Sequence, residues 1–532
     1  MKRYRVLIAD ELSPRAVEIL SQHPDVDVEM KTGLKGAALT EALRGVHGLA
    51  VRSATKVTAE VLEAAGDLKI VGRAGIGVDN IDVPAASRRG VIVMNTPSGN
   101  AITTAEHALF LLCSLARHIP QATASMKAGK WDKKKFQGSE LFDKTLGIVG
   151  LGNIGRIVAD RALGLKMKVV GYDPFLTTEA AQRIGVELLP LDEIWKRADM
   201  ITIHTPLNAE TRGLVGAAAF AKMKDGVLIV NAARGGIVDE AALLAALDAG
   251  KVGGAALDVF AEEPPPAGHP LVAHERVICT PHLGASTDEA QEKVAVEVAE
   301  QLLAYLTRGE VKNAVNVPAV AAEHQPRIQP YLELAGKLGA LIGQLTAGVT
   351  GVDVEMVGDV AELGGKLIPG EALAGFLRQH LDVPVNAVNA KLLAGDRGLA
   401  ISETVRSRGS NFTSSITLRA HGPQGERSVK GVVFSTDAGY EPRIVRIDRF
   451  YLEVVPDGRV LVLRNEDRPG VIGAVGTLLG GRGINVSRMQ VGLDKARAQA
   501  LQLWSVDGNV EAATLEAIRR VAGVVSAQVV TL

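Results

Sequence analysis

The feature that most constrains the fold of this chain is a glycine-rich turn in the segment LGIVGLGNIGRIVADRALGL, which starts at Leu146. Residues 146–149 predict a strand, and the residues after Gly155 predict a helix. Gly150 permits a tight turn, Gly152 lets the backbone approach a pyrophosphate, and Gly155 lets the helix pack closely on the strand. The N–H groups at such a helix N-terminus attract phosphate. The segment therefore predicts a dinucleotide site in a parallel α/β domain, the alternative being an ordinary tight strand–helix turn.

An acidic residue supports the nucleotide interpretation. The next predicted strand, KVVGYDPF, ends in Asp173, eighteen positions after Gly155 (173 − 155). A carboxylate at this place can accept hydrogen bonds from the ribose hydroxyls and would repel a 2′-phosphate. The sequence therefore favours NAD over NADP, and the alternative for Asp173 is a helix cap or turn residue.

The 532-residue chain is long enough for three or four domains. Two series of apolar strands and helices follow each other, and the amphipathic segment 288–306 predicts a long helix that can return to the first series. A proline-rich break at 315–330 precedes a further α/β region, and the last 75 residues have the ferredoxin-like order βαββαβ. We expect two doubly wound Rossmann-like α/β domains with a cleft between them, followed by two smaller α/β domains. The predicted boundaries are 1–98 with 283–317, 99–282, 318–455 and 456–532.

The overall composition excludes several classes of protein. The formal net charge of −1 favours neither nucleic acid nor a membrane surface as a partner. Aromatic residues make up only 4%, which suits parallel sheets built from Ala, Val, Leu and Ile. Cys113 and Cys279 lie in separate apolar runs, so we expect free thiols and a cytoplasmic location, and no metal site is predicted.

Three charged residues follow three predicted strands of the second series. Arg234 follows LIVNAA, Glu263 comes shortly after GAALDVF, and His282 follows VICTP. Because ligands bind beyond the carboxyl ends of parallel strands, these side chains should meet near a bound nucleotide. A histidine supported by a carboxylate suits removal of a hydroxyl proton, and an arginine suits a substrate carboxylate. Taken singly, the alternatives are a surface charge, a solvated loop acid and a hydrogen-bonded imidazole without catalytic role.

These stretches also carry a family resemblance. The segments GRAGIGVDNID, GLGNIGR, HTPLNAETRGL, NAARGGIVDE, ALDVFAEEP and TPHLGAST resemble the D-isomer-specific 2-hydroxyacid dehydrogenases over roughly residues 1–315. The resemblance implies that Arg234, Glu263 and His282 are catalytic. The predicted NAD-binding residues are Gly150, Gly152, Asn153, Ile154, Gly155, Asp173, Thr205, Ala232, Ala233, Arg234, Asp258, His282 and Gly284.

The first series of strands and helices narrows the choice of substrate. Arg52 and Ser53 follow one strand and Arg73 follows another, where cations facing the cleft would suit a phosphate, while the backbone at Gly75 could bind a carboxylate. Solvated surface arginines are the alternative. The family members that oxidise 3-phosphoglycerate carry matching residues, so we expect that substrate. A glyoxylate or hydroxypyruvate reductase and a nucleotide-sensing corepressor of the same fold are the other hypotheses.

The C-terminal half supports this choice. The segment NEDRPGVIGAVGTLLGGRGINVSRM resembles an ACT domain, a small ligand-sensing module, and residues 320–455 resemble the intervening domain of the long family members. By that resemblance Asn465, Asp467 and Asn485 are candidates for binding serine as an effector, the alternative being turn residues. Pairing of such domains between subunits predicts a homodimer or homotetramer.

Overall fold

The computed structural model describes residues 4–97, 99–318, 324–407, 412–437 and 439–532. The strands within these residues form four sheets, of five, seven, six and four strands. Two consecutive parallel sheets are followed by a mixed sheet and an antiparallel sheet. The predicted fold class is confirmed, whereas the domain boundaries stay a prediction.

The first sheet is parallel, in the order β2-β1-β3-β4-β5. Its strands are short and largely apolar because helices cover both faces. The strands are β1 (Tyr4–Ile8), β2 (Val26–Met30), β3 (Gly48–Val51), β4 (Ile70–Arg73) and β5 (Ile92–Asn95). The helices between them are α1 (Pro14–Ser21), α2 (Gly36–Ala42), α3 (Ala59–Ala64) and α4 (Val83–Arg88).

The second sheet is also parallel, in the order β12-β11-β10-β9-β6-β7-β8. Its strands are β6 (Thr145–Val149), β7 (Lys168–Tyr172), β8 (Glu187–Leu188), β9 (Met200–Ile203), β10 (Val227–Asn231), β11 (Val252–Leu257) and β12 (Val277–Cys279). The helices are α5 (Ala101–Ala116), α6 (Ile119–Lys127), α7 (Asn153–Gly164), α8 (Thr178–Arg183), α9 (Leu191–Arg197), α10 (Ala217–Lys222), α11 (Glu240–Asp248) and α12 (Pro270–Ala273). Strand β6 lies between β7 and β9, so the strand order reverses there and a ligand crevice is expected at their carboxyl ends.

A long helix, α13 (Asp288–Arg308), follows the second sheet and packs on the first. Its residues Ala295, Ala299 and Leu302 are buried together with Val6 and Ile8 of β1. The chain thus leaves the first sheet, builds the second and returns, and the carboxyl ends of both sheets can face one cleft.

The third sheet is mixed, in the order β14-β13-β15-β16-β17-β18. Its strands are β13 (Gly351–Val357), β14 (Ala400–Arg406), β15 (Ser415–Gly422), β16 (Gly425–Thr436), β17 (Gly439–Ile447) and β18 (Phe450–Val454). The helices are α14 (Gln325–Leu345), α15 (Asp359–Gly364), α16 (Ile368–Leu377) and α17 (Ala390–Gly395). None of the helices in the described part of the chain combines the length and apolarity needed to cross a bilayer.

The start of α14 corrects the predicted proline-rich break. The helix begins at Gln325, and Pro326 lies in its first turn while Pro330 lies inside it. Proline is tolerated in a first turn because its missing N–H would have no helical partner there, whereas Pro330 removes one internal hydrogen bond. The apolar residues that follow, such as Leu334 and Leu338, are fully buried, and their packing sustains the helix. Residues 319–323 of the predicted break lie outside the described residues.

The fourth sheet is antiparallel, in the order β20-β21-β19-β22, which is the predicted ferredoxin-like arrangement. Its elements are β19 (Arg459–Glu466), α18 (Val471–Gly480), β20 (Asn485–Asp494), β21 (Gln499–Asp507), α19 (Ala512–Arg519) and β22 (Val524–Thr531). Residues of this sheet share a hydrophobic core with the third sheet, among them Val460 and Leu503.

Both cysteines are free thiols, as predicted. Each is partly buried, and burial raises the pKa of the Cys113 and Cys279 thiols. Thiols with raised pKa values are protonated at neutral pH and pack as small apolar groups.

Candidate active site

The glycine-rich turn lies where the strand order of the second sheet reverses. Gly150 has a φ of +96°, and a Cβ there would lie 2.6 Å from the carbonyl oxygen of His204. A Cβ at Gly155 would lie 2.0 Å from the carbonyl oxygen of Gly150, so the first turn of α7 packs directly on the glycine turn. A Cβ at Gly152 would meet nothing within 4 Å. The open space above Gly152 is where a pyrophosphate could approach the N-terminus of α7.

Asp173 contacts this turn. Its Oδ2 accepts a hydrogen bond from the N–H of Leu151 at 2.9 Å, and its Oδ1 accepts one from the N–H of Phe175 at 2.9 Å. Each carboxylate oxygen can accept a second hydrogen bond, which leaves capacity for ribose hydroxyls. Asp173 therefore shapes the glycine turn as well as standing at the place where a nucleotide ribose is expected.

A cleft of 460 Å³ opens between the two parallel sheets. Most of the predicted nucleotide and catalytic residues line it, whereas Gly150, Gly155, Asp173 and Glu263 do not. The predicted residues that line the cleft are Arg73, Gly152, Asn153, Ile154, Thr205, Ala232, Ala233, Arg234, Asp258, His282 and Gly284.

Buried polar atoms without partners show that the cleft suits a polar ligand. Among the described residues, Arg73 Nε, Asn100 Oδ1, His204 Nδ1 and Thr205 Oγ1 have no hydrogen-bond partner, and all four residues line this cleft. Burial lowers the pKa of His204 to about 4, so its ring is neutral at physiological pH. Unpaired buried polar atoms cost free energy unless a ligand or water satisfies them. Together with the open space at Gly152, these atoms fit a dinucleotide; neither His204 nor Asn100 was predicted from the sequence.

His282 and Glu263 form a hydrogen-bonded pair at the cleft. The Nδ1 atom of His282 lies 2.8 Å from Oε2 of Glu263, and Oε1 of Glu263 accepts from the N–H of Phe260 at 3.1 Å. Burial alone would raise the pKa of Glu263, but the hydrogen bonds from His282 and Phe260 and the charge of Arg234 lower it. Glu263 is therefore ionised, and it orients the imidazole with Nε2 left unpaired among the described residues. The His282 side chain is 50% exposed, so this nitrogen can reach a ligand.

Asp258 anchors the loop that carries His282. Its carboxylate accepts four hydrogen bonds, from Leu283 N (2.7 Å), Gly284 N (2.8 Å), Thr280 Oγ1 (2.6 Å) and His107 Nε2 (3.2 Å). Its backbone carbonyl accepts from the N–H of His282 at 2.9 Å. Burial opposes ionisation of Asp258, but the bonds from His107, Thr280 and Leu283 lower its pKa. Asp258, which was predicted to line the nucleotide site, thus also holds His282 in place. The backbone of His282 has an unusual φ of +54°.

Arg234 reaches across the cleft to the first sheet. Its Nε donates to Oδ2 of Asp79 at 2.8 Å, and its Nη1 donates to the carbonyl oxygen of Ala233 at 2.7 Å. A Cβ at Gly77 would lie 1.6 Å from Nη2 of Arg234, so a side chain at this position would displace the guanidinium. Asp79 belongs to the segment GRAGIGVDNID that carries the family resemblance, but its pairing with Arg234 was not predicted.

A second cavity, of 290 Å³, adjoins the cleft and is lined by Arg52, Ser53, Arg73, Glu263 and His282. Arg73 and His282 line both cavities. Burial, with the charges of Arg234 and Arg52, lowers the pKa of Arg73 to about 10, which still leaves it charged at neutral pH. The structure thus places Arg52, Arg73 and the His282–Glu263 pair around one cavity.

Gly75 corrects the prediction made for it. Its N–H donates to Thr96 Oγ1 at 2.6 Å, and its carbonyl oxygen accepts from the N–H of Thr96 at 3.0 Å. A Cβ at Gly75 would lie 1.7 Å from Nη1 of Arg73, so the guanidinium covers this residue. Gly75 lines neither cavity, and its donor is not free for a carboxylate. Its role is to leave room for Arg73.

Asp10 supports the loop of Arg52 and Ser53. Its Oδ2 accepts from the N–H of Arg52 at 2.6 Å and its Oδ1 accepts from Thr55 Oγ1 at 2.6 Å. Asp10 is 4% exposed and lies two residues after the end of β1. An acid at a strand end was a visible signal, but its partner lies 42 positions away and was not predicted.

In the fourth sheet, Asn465 differs from its predicted role. It is buried, its Nδ2 donates to the carbonyl oxygen of Glu466 at 2.6 Å, and its Oδ1 accepts from Gln502 Nε2 at 2.7 Å. The amide is therefore committed to the interior of its own domain. Asp467 is exposed, and Asn485 is exposed with its Nδ2 donating to Asp507 Oδ2 at 2.7 Å.

Comparison with family models agrees with this architecture. Residues 109–284 match the D-isomer specific 2-hydroxyacid dehydrogenase NAD binding domain, residues 327–448 match the D-3-phosphoglycerate dehydrogenase intervening domain, and residues 459–523 match the ACT domain. The fold and the site together define an NAD-dependent 2-hydroxyacid dehydrogenase.

Known proteins resemble the chain over nearly its whole length. D-3-phosphoglycerate dehydrogenase of Synechocystis sp. is 43% identical over 99% of this chain and 95% of its own, and that of Bacillus subtilis is 42% identical over 99% and 100%. Among solved structures, a glyoxylate reductase from Paecilomyes thermophila is 31% identical with a TM-score of 0.54, covering 59% of this chain and 99% of its own. D-lactate dehydrogenase from Aquifex aeolicus, complexed with NAD and lactic acid, is 26% identical with a TM-score of 0.52, over 59% and 100%. The chain belongs to the D-3-phosphoglycerate dehydrogenases, within the D-isomer specific 2-hydroxyacid dehydrogenase family.

Proposed function

We propose that the protein oxidises 3-phosphoglycerate at C2 to 3-phosphohydroxypyruvate, the first step of serine biosynthesis, with NAD as the oxidant. The observation that carries the proposal is the position of His282, which lines both cavities and is hydrogen-bonded to Glu263 at 2.8 Å. A nucleotide in the larger cleft and a substrate in the smaller cavity would meet at this imidazole.

His282 is the proton acceptor. Its Nε2 takes the proton of the 2-hydroxyl group as the C2–H bond breaks, and C2 becomes a carbonyl carbon. When bound, NAD supplies the nicotinamide ring that accepts the hydride and its electron pair. Glu263 stabilises the imidazolium because its lowered pKa keeps it ionised. The pair therefore supports oxidation, because the proton that leaves the hydroxyl group is held by an imidazole next to a carboxylate.

Different arginines bind the two anionic groups of the substrate. Arg234 has one nitrogen held by Asp79 and another by the carbonyl of Ala233, which leaves the rest of its guanidinium to bind the substrate carboxylate and polarise the nascent carbonyl. Arg73, with its buried unpaired Nε, and Arg52 hold the phosphate together with the Ser53 hydroxyl. A substrate with anionic groups at both ends suits this distribution better than one with a single carboxylate.

The nucleotide is held by residues of the second sheet. Gly152, Asn153 and the N-terminus of α7 would receive the pyrophosphate, and Asp173 the ribose hydroxyls. The unpaired Thr205 hydroxyl can donate to or accept from the bound nucleotide.

Regulation by serine is part of the proposal. The ACT match supports sensing of a small molecule by the fourth sheet. Because the Asn465 amide is already hydrogen-bonded, serine would bind to Asp467 and Asn485. A second copy of the chain would complete the site in a homodimer or homotetramer. We also propose a cytoplasmic location.

The test is an assay of NADH formation with 3-phosphoglycerate and NAD, with and without serine. We expect turnover that serine lowers, and little reduction of glyoxylate or hydroxypyruvate by NADH. Faster reduction of glyoxylate than oxidation of 3-phosphoglycerate would favour a reductase. An absence of turnover with every substrate, despite NADH binding, would favour a nucleotide-sensing corepressor.

A further inference from the structure

A cavity of 650 Å³ lies outside the active site, between the end of α13 and helices α14 and α16. It shares no lining residue with the nucleotide cleft or with the cavity beside it. Its volume is in the range of small-molecule sites. None of the residues assigned to catalysis, nucleotide binding or serine binding contributes to it.

The cavity contains an acid without a partner. Glu371 of α16 lines it, and makes no hydrogen bond or ion pair with any of the described residues. Burial raises the pKa of Glu371, and burial together with the charge of Glu371 raises the pKa of the neighbouring Tyr305. Glu371 is partly buried, so a ligand that donates a hydrogen bond to its carboxylate would be stabilising.

The two cations that line the cavity, Lys337 and Arg378, differ in whether their charged nitrogens already have partners. Lys337 Nζ donates to the carbonyl oxygen of Pro456 at 2.7 Å and pairs with Glu333 at 3.1 Å, so its charge is compensated. Arg378 donates through Nε to the carbonyl oxygen of Val385 at 2.7 Å, and its terminal nitrogens have no partner among the described residues. Glu371 and Arg378 are thus the charged residues of the cavity that form no salt bridge with the described residues. Arg378 is exposed, and its charge partly counters the rise that burial causes in the pKa of Glu371.

These two charges are arranged for one ligand. Glu371 lies on α16 and Arg378 directly follows its last residue, seven positions later, so both project from the same side of the helix, about 10 Å apart along its axis. Their long side chains can converge on a ligand smaller than that spacing. The walls of the cavity also include Ile92, Leu332 and Val388, which are apolar.

We propose that this cavity binds a free α-amino acid with an apolar side chain. The ammonium group donates to Glu371, the carboxylate accepts from Arg378, and the side chain packs on Ile92, Leu332 and Val388. A purely cationic ligand would be repelled by Arg378, and a purely anionic one by Glu371. The proposal concerns binding alone and does not depend on the reaction assigned to the active site.

Two helices that line the cavity also reach the active site and the fourth sheet. Tyr305, near the end of α13, lines the cavity, and Gln291 and Val294, near the start of the same helix, line the 290 Å³ cavity. Gln344, at the end of α14, exchanges hydrogen bonds of 3.0 Å with the backbone of Thr531 in β22. An amino acid bound here therefore contacts one helix that reaches the active site and another that contacts the fourth sheet.

The first test is calorimetric titration of the full-length protein with L-leucine, N-acetyl-L-leucine and L-leucinamide. We expect L-leucine to bind and each analogue, which lacks one of the two charges, to bind at least about tenfold more weakly. Equal binding of the three ligands would overturn the zwitterion assignment. No detectable binding of L-leucine, L-valine or L-phenylalanine up to about 10 mM would overturn the site.

The second test locates the binding. Glu371→Gln and Arg378→Met should each weaken L-leucine binding at least about tenfold, whereas Asp467→Ala, in the fourth sheet, should leave it unchanged. Loss of binding in Asp467→Ala with retention in Glu371→Gln would place the amino acid in the fourth sheet and overturn the proposal. Thermal unfolding shows whether each variant is folded, and the comparison of the three ligands on the unaltered protein does not depend on any variant.

Discussion

Arg234 and Asp79 form an ion pair, with Nε and Oδ2 2.8 Å apart, although Arg234 follows β10 of the second sheet and Asp79 follows β4 of the first. The arginine assigned to the substrate carboxylate is therefore oriented by the opposite wall of the cleft. Asp79 also offsets part of the repulsion among Arg52, Arg73 and Arg234, since its charge favours the protonated form of Arg73. The substrate site is assembled only when both sheets are in place.

Replacing Asp79 by alanine should weaken use of the substrate more than it weakens binding of NAD. Asp79 is 66% exposed, so solvent screens the pair and we expect a loss of about 1 kcal/mol, or about fivefold in kcat/KM for 3-phosphoglycerate. Asp79→Asn is the matched variant, and should lose less because its carbonyl oxygen still accepts from Arg234. Steady-state kinetics and the Kd of NAD give the answer. An unchanged kcat/KM in Asp79→Ala would exclude the orienting role.

The Glu263–His282 pair predicts a loss of turnover when the charge of Glu263 is removed. In Glu263→Gln the side chain can still accept a hydrogen bond from the imidazole, but it no longer carries the charge that stabilises the imidazolium formed during oxidation. We expect kcat to fall by about tenfold or more. Steady-state kinetics measure this, with the Kd of NAD as the control. A wild-type kcat in this variant would show that the charge of Glu263 does not act on the base.

Asp258→Asn tests how the histidine loop is held. Oδ1 of the buried carboxylate accepts from Leu283, Thr280 and His107, and Oδ2 accepts from the N–H of Gly284. An amide nitrogen in place of one oxygen would face donors, which costs about 1–3 kcal/mol. We expect a lower temperature of thermal unfolding and a fall in kcat of at least about tenfold. Wild-type values of both quantities would contradict the anchoring role.

The carboxylate of Asp173 should make the enzyme prefer NAD to NADP. Asp173→Ala removes the charge that repels a 2′-phosphate, so the ratio of kcat/KM for NAD to that for NADP should fall by about tenfold or more. The same change also removes the acceptor of the Leu151 N–H, so activity with NAD should fall as well. Asp173→Asn can still accept from the N–H of Leu151 through its one oxygen, although it loses the bond from Phe175, so it should keep more activity with NAD than Asp173→Ala. A ratio that stays at its wild-type value in both variants would exclude Asp173 from nucleotide selection.

The sequence predicts contacts between groups whose positions follow from the strand pattern. Glu263 and His282 come after neighbouring strands, and parallel strands end at one edge, so their meeting could be predicted. Asp79 could not be predicted as the partner of Arg234, because the two are 155 positions apart and belong to different sheets. The same limit applies to Asp10 and the Arg52 loop, 42 positions apart.

Two features of the structure that the sequence interpretation missed had local signals. Asn465 lies two residues after Leu463 in β19, and alternation along a strand puts both on the same buried face. Pro330 suggested a break, but the apolar residues that follow it at helical spacing, including Leu334 and Leu338, gain enough from burial to extend the helix across it.

His282→Gln tests the central claim, that the imidazole at the junction of the two cavities accepts the hydroxyl proton. Glutamine is uncharged and similar in reach but cannot take up a proton, so kcat for 3-phosphoglycerate oxidation should fall by about 10²–10⁴-fold. The Kd of NAD should stay within about twofold of its wild-type value, since the pyrophosphate and ribose contacts are assigned elsewhere. A variant that binds NAD normally and turns over at a rate near that of the wild type would contradict the account.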